Sequence, residues 1–101
     1  MAIDTVYRCR IDFDFHSGDV NKDQDSIKKV SDFIFSTARQ FNLDECETSE
    51  GGPAHGPYCV LEHDGIEALE KSESAIMAYI RRFKHHKIEG MHDTNDRTPA
   101  V

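Results

Sequence analysis

The sequence predicts an α+β fold in which an antiparallel sheet is backed by two helices on one face. Three observations carry that prediction. Residues 3–15 alternate apolar and polar with period two, the pattern of a half-buried strand. Two later segments repeat their apolar residues at steps of three and four, the pattern of an amphipathic helix. The length of 101 residues accommodates one domain with one modest core, and right-handed crossovers then fold the helices onto a common side of the sheet.

The first strand is read over Ile3–Phe15. Its odd positions, Ile3, Thr5, Tyr7, Cys9, Ile11, Phe13 and Phe15, form a buried face; Asp4, Val6, Arg8, Arg10, Asp12, Asp14 and His16 form a charged one. His16 to Asp23 is a loop by its Gly, Ser, Asn and Asp content. A helix follows, with Asp23 or Asp25 as N-cap, and runs through Phe41. Ile27, Val30, Ile34, Ala38 and Phe41 make its stripe, Phe33 widens it and Phe35 sits off it. Leu43–Thr48 is a short acidic strand. Ser49–Pro57, with three glycines and two prolines, is a loop.

Tyr58–Leu61 is an apolar run suited to a strand covered on both sides. The second helix is anchored between a Ser72 or Ser74 cap and about His86 on Ile76, Ile80 and Phe83, with Met77 and Tyr79 at its flanks. Ile66 and Leu69 either extend it backwards or belong to a hairpin turned by Asp64-Gly65. Arg81, Arg82, Lys84 and Lys87 crowd its C-terminal end, where positive charge suits the helix dipole. Lys87–His92 adds an optional edge strand, which closes a domain over residues 1–92, and residues 93–101 read as a frayed polar tail. The order β-α-β-β-α(-β) is that of a ferredoxin-like arrangement.

Nineteen acidic against twelve basic side chains give a net charge of −7, which disfavours direct nucleic-acid binding because that mode needs Lys and Arg on the contact face. No apolar run approaches the roughly 20 residues that cross a bilayer, and Met1-Ala2-Ile3-Asp4-Thr5 lacks the basic and apolar regions of a signal peptide. Cys9, Cys46 and Cys59 are an odd set without C-x-x-C spacing. This favours free thiols in a reducing cytoplasm over a disulfide framework or a zinc knuckle, with a Cys46–Cys59 bridge as the minor alternative. A core this small would gain from a homodimer.

Six histidines invite a metal reading, and His16, His55, His63 and His92, each in or beside a loop, are placed where they could meet at one end of the sheet. No H-x-H, H-E-x-x-H or H-x-x-x-H spacing imposes convergence, so solvated surface histidines are the simpler expectation. The loop Gly51–Pro57 has no Lys or Thr partner for a phosphate and reads as a rigid interstrand connection. Cys9 and Cys59 fall on apolar positions as inert thiols, and the thiolate of Cys46 is disfavoured beside Glu45 and Glu47. No Ser lies in a G-x-S-x-G elbow. Carboxylates do cluster: through residue 50, eleven acids stand against six bases. Such a surface steers toward a basic partner, or simply keeps the chain soluble.

Two resemblances accompany these readings. Tyr7-Arg8-Cys9-Arg10-Ile11-Asp12-Phe13-Asp14 resembles the opening H-x-H-x-Y-F-D strand of the DOPA 4,5-dioxygenase family, small ferredoxin-like proteins. Gly52-Pro53-Ala54-His55-Gly56-Pro57 is similar to that family's G-P-H-P loop, and His92-Asp93-Thr94-Asn95-Asp96 to its H-P-x-T-G-D ending. Arg8 and Arg10 stand where that family has its first histidines, so the resemblance implies a metal role only for His55 and His92. Ala38-Arg39-Gln40-Phe41-Asn42, Val60-Leu61-Glu62 and Arg82-Phe83-Lys84-His85-His86 are similar to segments of the flavin-binding BLUF domains. The third-strand Gln of that family has no counterpart, because the chain has Gln only at 24 and 40, and the likeness implies fold alone.

The leading expectation is a small acidic cytoplasmic module, without cofactor and not an enzyme, that docks on a basic surface of a larger protein. Inhibitors and regulators of the immunity or anti-defence type act in this way, some by imitating nucleic acid. Asp12, Asp14, Asp19, Asp23 and Asp25 are its expected docking residues and Glu45, Glu47 and Glu50 a second patch. The alternative is an iron- or zinc-dependent dioxygenase-like enzyme using His55 and His92 with His16 or His63. A third reading is a small-ligand sensor with a pocket between helix and sheet.

Overall fold

In the computed structural model, which describes residues 6–89, the odd-numbered side chains of the first strand line the floor of the core. Strand β1 (Tyr7–Phe15) buries Cys9, Ile11, Phe13 and Phe15, while Arg8, Arg10, Asp12 and Asp14 point to the other face, as the alternation requires. Helix α1 (Val20–Gln40), β2 (Glu45–Ser49), β3 (Tyr58–His63), α2 (Ile66–Arg81) and β4 (His86–Glu89) complete the order β-α-β-β-α-β. The strands form one antiparallel sheet in the order β2-β3-β1-β4, the ferredoxin-like topology, with both helices packed on the same side. The expected strand positions Ile3 and Thr5, the extension of the last strand to His92 and the tail over 93–101 lie outside the described residues.

Helix α1 starts earlier than its sequence pattern predicts. Its N-cap is Asp19, whose carboxylate accepts hydrogen bonds from the backbone N–H groups of Asn21 (3.0 Å) and Lys22 (3.2 Å). Neither Asp23 nor Asp25 caps it. Asp23 already lies in the first turn, and its carboxylate reaches back to the backbone N–H of Ser17 at 3.1 Å. The loop is shorter than its composition suggests because Gly18, at φ +89, reverses the chain within a few residues. Ile27, Val30, Ile34 and Thr37 are the buried stripe. The helix closes in a Schellman motif: Asn42 takes φ +55, its N–H donates to Arg39 O, and the N–H of Leu43 donates to Ala38 O at 2.9 Å.

Among the described residues, strand β3 is covered on one side only, contrary to the expectation from its apolar run. Cys59 and Leu61 are buried under the helices, whereas Tyr58, Val60 and Glu62 are half-buried on the opposite face. After Asp64-Gly65 the chain turns into a helix, not a hairpin: α2 begins at Ile66 behind Gly65, and Leu69 is fully buried. Ser72 is therefore no cap; it sits inside the helix and donates to the carbonyl of Ala68 at 2.8 Å. The helix ends at Arg81 rather than near His86, since His85 takes φ +58 and turns the chain into β4, its carbonyl receiving the N–H of His16 at 2.9 Å.

The core joins Ile11, Phe13 and Leu61 from the sheet to Ile34, Leu69, Ile76 and Ile80 from the helices, all nearly inaccessible to water. An aromatic chain clasps the layers together. Phe33 of α1 stacks on Tyr79 of α2 at 4.1 Å between ring centroids, Tyr79 meets Phe83 edge-on at 5.3 Å, and Phe83 meets Phe15 of β1 at 5.3 Å. Among the described residues, no helix is long and apolar enough to cross a membrane.

Candidate functional site

The face of the sheet turned away from the helices is built from alternate residues of all four strands. The pairing register sets Glu45, Glu62 and Arg8 in one row, Glu47, Val60 and Arg10 in the next, and Ser49, Tyr58 and Asp12 in a third; beyond these, Asp14 stands opposite Lys87. It is a polar surface, as suits a sheet face on which no helix packs among the described residues.

Arg10 is its centre. The Nε of Arg10 donates to both carboxylate oxygens of Asp12 (3.2 and 3.1 Å) and its Nη2 to Oδ1 (3.1 Å). The guanidinium lies 4.1 Å over the Tyr58 ring, and the Tyr58 hydroxyl donates to Glu47 Oε1 at 3.3 Å. The hydrogen bond to Asp12 raises the Arg10 pKa against the opposing effect of burial, so this cation is held firmly charged. Arg8 is tied to Glu62 at 2.6 Å. Both arginines of the face are thus neutralised in place by carboxylates of the face.

The acids left over gather at the edge strand β2. Glu45 and Glu47 point to the open face, Asp44 precedes them and Glu50 follows, all four exposed. Glu45 and Glu50 pair with no cation among the described residues. Asp44 accepts the backbone N–H of Asp64 at 3.0 Å, which fixes the start of the strand.

The eight acids expected to bind a partner therefore divide. Asp12, Asp14, Glu45 and Glu47 share the open face, and Glu50 lies at its edge. Asp19, Asp23 and Asp25 lie at the start of α1 instead: Asp19 caps the helix, Asp23 holds the preceding turn, and Asp25 pairs with Lys29 at 3.1 Å. Tyr58 and Glu62 belong to this face although the sequence pattern does not single them out, because Tyr58 opens an apolar run and Glu62 follows it. The period-two pattern Tyr58, Val60, Glu62 against Cys59, Leu61 was the signal that could have found them.

Among the described residues, His16, His55 and His63 do not converge on one site. His16 lies beside Asp14 (3.5 Å) at the C-terminal end of β1, and His55 sits in the turn at the same end. His63 is paired with Tyr7 at the opposite end of the sheet, its Nδ1 accepting the N–H of Gly65 at 2.7 Å; His92 lies outside the described residues. Among the described residues, no three His, Cys, Asp or Glu side chains are grouped to hold a metal ion. The loop before β3 uses its backbone donors internally: Gly52 N–H bonds His55 O (2.9 Å) and Gly51 N–H bonds the Ser49 hydroxyl (3.2 Å). Gly51 takes φ +94, and a Cβ there would meet the Pro57 nitrogen at 3.2 Å, so this turn of the loop requires glycine.

All three cysteines are free thiols on the core side of the sheet, and no Cys46–Cys59 bridge forms. Burial pushes the Cys59 thiol far above its ordinary range, and the neighbouring thiols push the same way. The Cys46 thiol is raised too, but by burial rather than by Glu45 and Glu47, whose side chains point to the other face. A cavity of about 330 Å³ between the start of α1 and the Phe83–His85 turn is lined by Lys22, Asp23, Lys84 and His85, not by facing helix and sheet side chains.

An open four-stranded sheet is also a platform on which single-stranded RNA stacks against aromatic side chains. Here the one aromatic of the face among the described residues, Tyr58, is already covered by Arg10, and the unpaired charge is negative. No protein-family model, curated protein or solved structure matches the chain. Fold and face together define a ferredoxin-like α+β domain that presents an open, acid-edged sheet.

Proposed function

We propose that this chain is a small acidic protein-binding module, an inhibitor or regulator that docks the open face of its sheet on a basic surface of a larger protein. One arrangement carries the reading: Arg8 and Arg10 are already paired with Glu62 and Asp12, while Asp44, Glu45, Glu47 and Glu50 line β2 exposed and, among the described residues, form no salt bridge. Such a distribution raises the rate of encounter with a cationic surface and selects its orientation. The row of carboxylates is of the kind that imitates a nucleic-acid backbone toward the protein that binds it. Three free thiols fit a reducing compartment, the cytoplasm. The homodimer that a small core favours would use another surface, because two copies of this face would bring like charges together.

The test is affinity capture from the native host with two baits, the wild-type chain and a variant carrying Asp12→Lys, Asp14→Lys, Glu45→Lys and Glu47→Lys, read by mass spectrometry. The expected result is a basic partner held by the first bait and lost by the second, with an association rate that falls as salt rises. Equal recovery on both baits removes the reading.

A further inference from the structure

We infer that β2 is a strand-addition edge: an extended segment of the partner, with Lys or Arg at alternate positions and apolar residues between them, pairs with Glu45–Ser49 as a fifth strand. This rests on the docking reading above and specifies how its partner is held. The backbone geometry follows from the register. The N–H of Phe13 donates to Pro57 O, so Pro57, Cys59 and Leu61 direct their backbone groups toward β1. Tyr58, Val60 and Glu62 then face β2 and bond Ser49, Glu47 and Glu45. The N–H and C=O groups of Cys46 and Thr48 are left pointing out of the sheet, and among the described residues no strand lies beyond them.

The side chains select what can pair there. A residue of the added strand directly opposite Glu47 would place its Cβ within about 5.5 Å, so a basic side chain is favoured there and an acidic one opposed. That rule also disfavours a second copy, whose β2 would bring Glu45 and Glu47 against their equals. On the other side of the edge the strand meets Cys46 and Thr48, half-buried beneath α1, which packs on β2. Phe33 stacks on α2, and Phe35, two residues on and 42% exposed, lies on the opposite flank of α1, the flank toward β2. An apolar residue of the added strand would lie beneath that flank. Charge on one side and an exposed aromatic on the other together call for a basic–apolar alternation.

The probe is a capped heptapeptide of alternating Lys and Val, with two controls: the same side chains N-methylated at every internal residue, and the same composition in a Lys block followed by a Val block. Binding is followed by amide NMR shifts and by hydrogen exchange on the full chain. The expected result is at least tenfold slower exchange at Cys46 and Thr48 with the alternating peptide, no slowing with either control, and loss of the effect in Glu45→Lys/Glu47→Lys with the rest of the spectrum unchanged. Equal binding of the methylated peptide, binding without protection of these two amides, or no binding at millimolar peptide overturns the inference. Protection already present in the free chain, from its own ends or a second copy, overturns it as well. None of these outcomes touches the capture experiment, which decides the docking reading separately.

Discussion

Replacing Asp19 by Ala tests whether the acids at the start of α1 hold the fold or serve a partner. The side chain satisfies two helix N–H groups, of Asn21 at 3.0 Å and Lys22 at 3.2 Å, that no intrahelical carbonyl can reach. Loss of such a cap costs about 1 kcal/mol, and loss of a negative charge at the positive end of the dipole adds roughly 0.3–1 kcal/mol. The expected destabilisation is therefore about 1–2 kcal/mol, or a fall in Tm of roughly 4–16 °C for a domain of this size. Asp19→Asn keeps the acceptor and loses the charge, so it should cost only the dipole share, about 0.3–1 kcal/mol. Asp25→Ala breaks an exposed i,i+4 pair with Lys29 and should cost under about 0.5 kcal/mol. Urea unfolding followed by far-UV circular dichroism measures all three. If Asp25→Ala costs more than Asp19→Ala, the helix begins where its sequence pattern suggested and the turn at Gly18 has been misread. The same variant separates roles: below its unfolding range, Asp19→Ala should leave partner capture intact.

Three further perturbations probe the interior. The Ser31 hydroxyl is buried in α1 and has no hydrogen-bond partner among the described residues, so Ser31→Ala should stabilise by about 1 kcal/mol in urea unfolding, and a loss of stability would reveal a bond to that hydroxyl. His85 holds φ +58 without being glycine, so His85→Gly should raise Tm, by a gain of about 0.5–1 kcal/mol, and a lower Tm would mean that its side chain matters more than its backbone. Burial holds the Cys59 thiol above its ordinary value of 9.0, so above that pH the unfolded chain loses a proton that the folded chain keeps. Stability should be unaffected by this thiol below about pH 9 and decline above it, by up to about 1.4 kcal/mol per pH unit. Cys59→Ala, weaker at neutral pH from lost packing, should decline less steeply over that alkaline range; an identical slope would contradict the burial.

The period-two alternation of β1 was legible because it is long and its sides differ in charge, and it places nearly every open-face residue of that strand correctly. Helix α1 was legible in its stripe but not in its start, since three aspartates in seven residues offer the same capping chemistry and only the Gly18 turn chooses between them. In β3 four consecutive apolar residues hid the alternation, because Tyr58 and Val60 are apolar enough for a core yet lie on the open face. The acidic surface was legible as composition. Its division into a group at the start of α1 and a group on the open face was not, because that depends on the strand register that aligns Asp12, Asp14, Glu45 and Glu47 and on the turn that sets Asp19 and Asp23 against backbone N–H groups. The pairing of Arg10 with Asp12 and Tyr58 requires the β1–β3 register, which no local pattern encodes.

The chain contains no tryptophan and three tyrosines, and of these only Tyr58 belongs to the open face. Its phenol is bonded to a carboxylate and its ring lies beneath a guanidinium, two contacts that shape ultraviolet absorption and emission. The molecule thus carries an intrinsic chromophore on the surface where binding is expected, and occupation of that surface can be followed optically without attaching a dye.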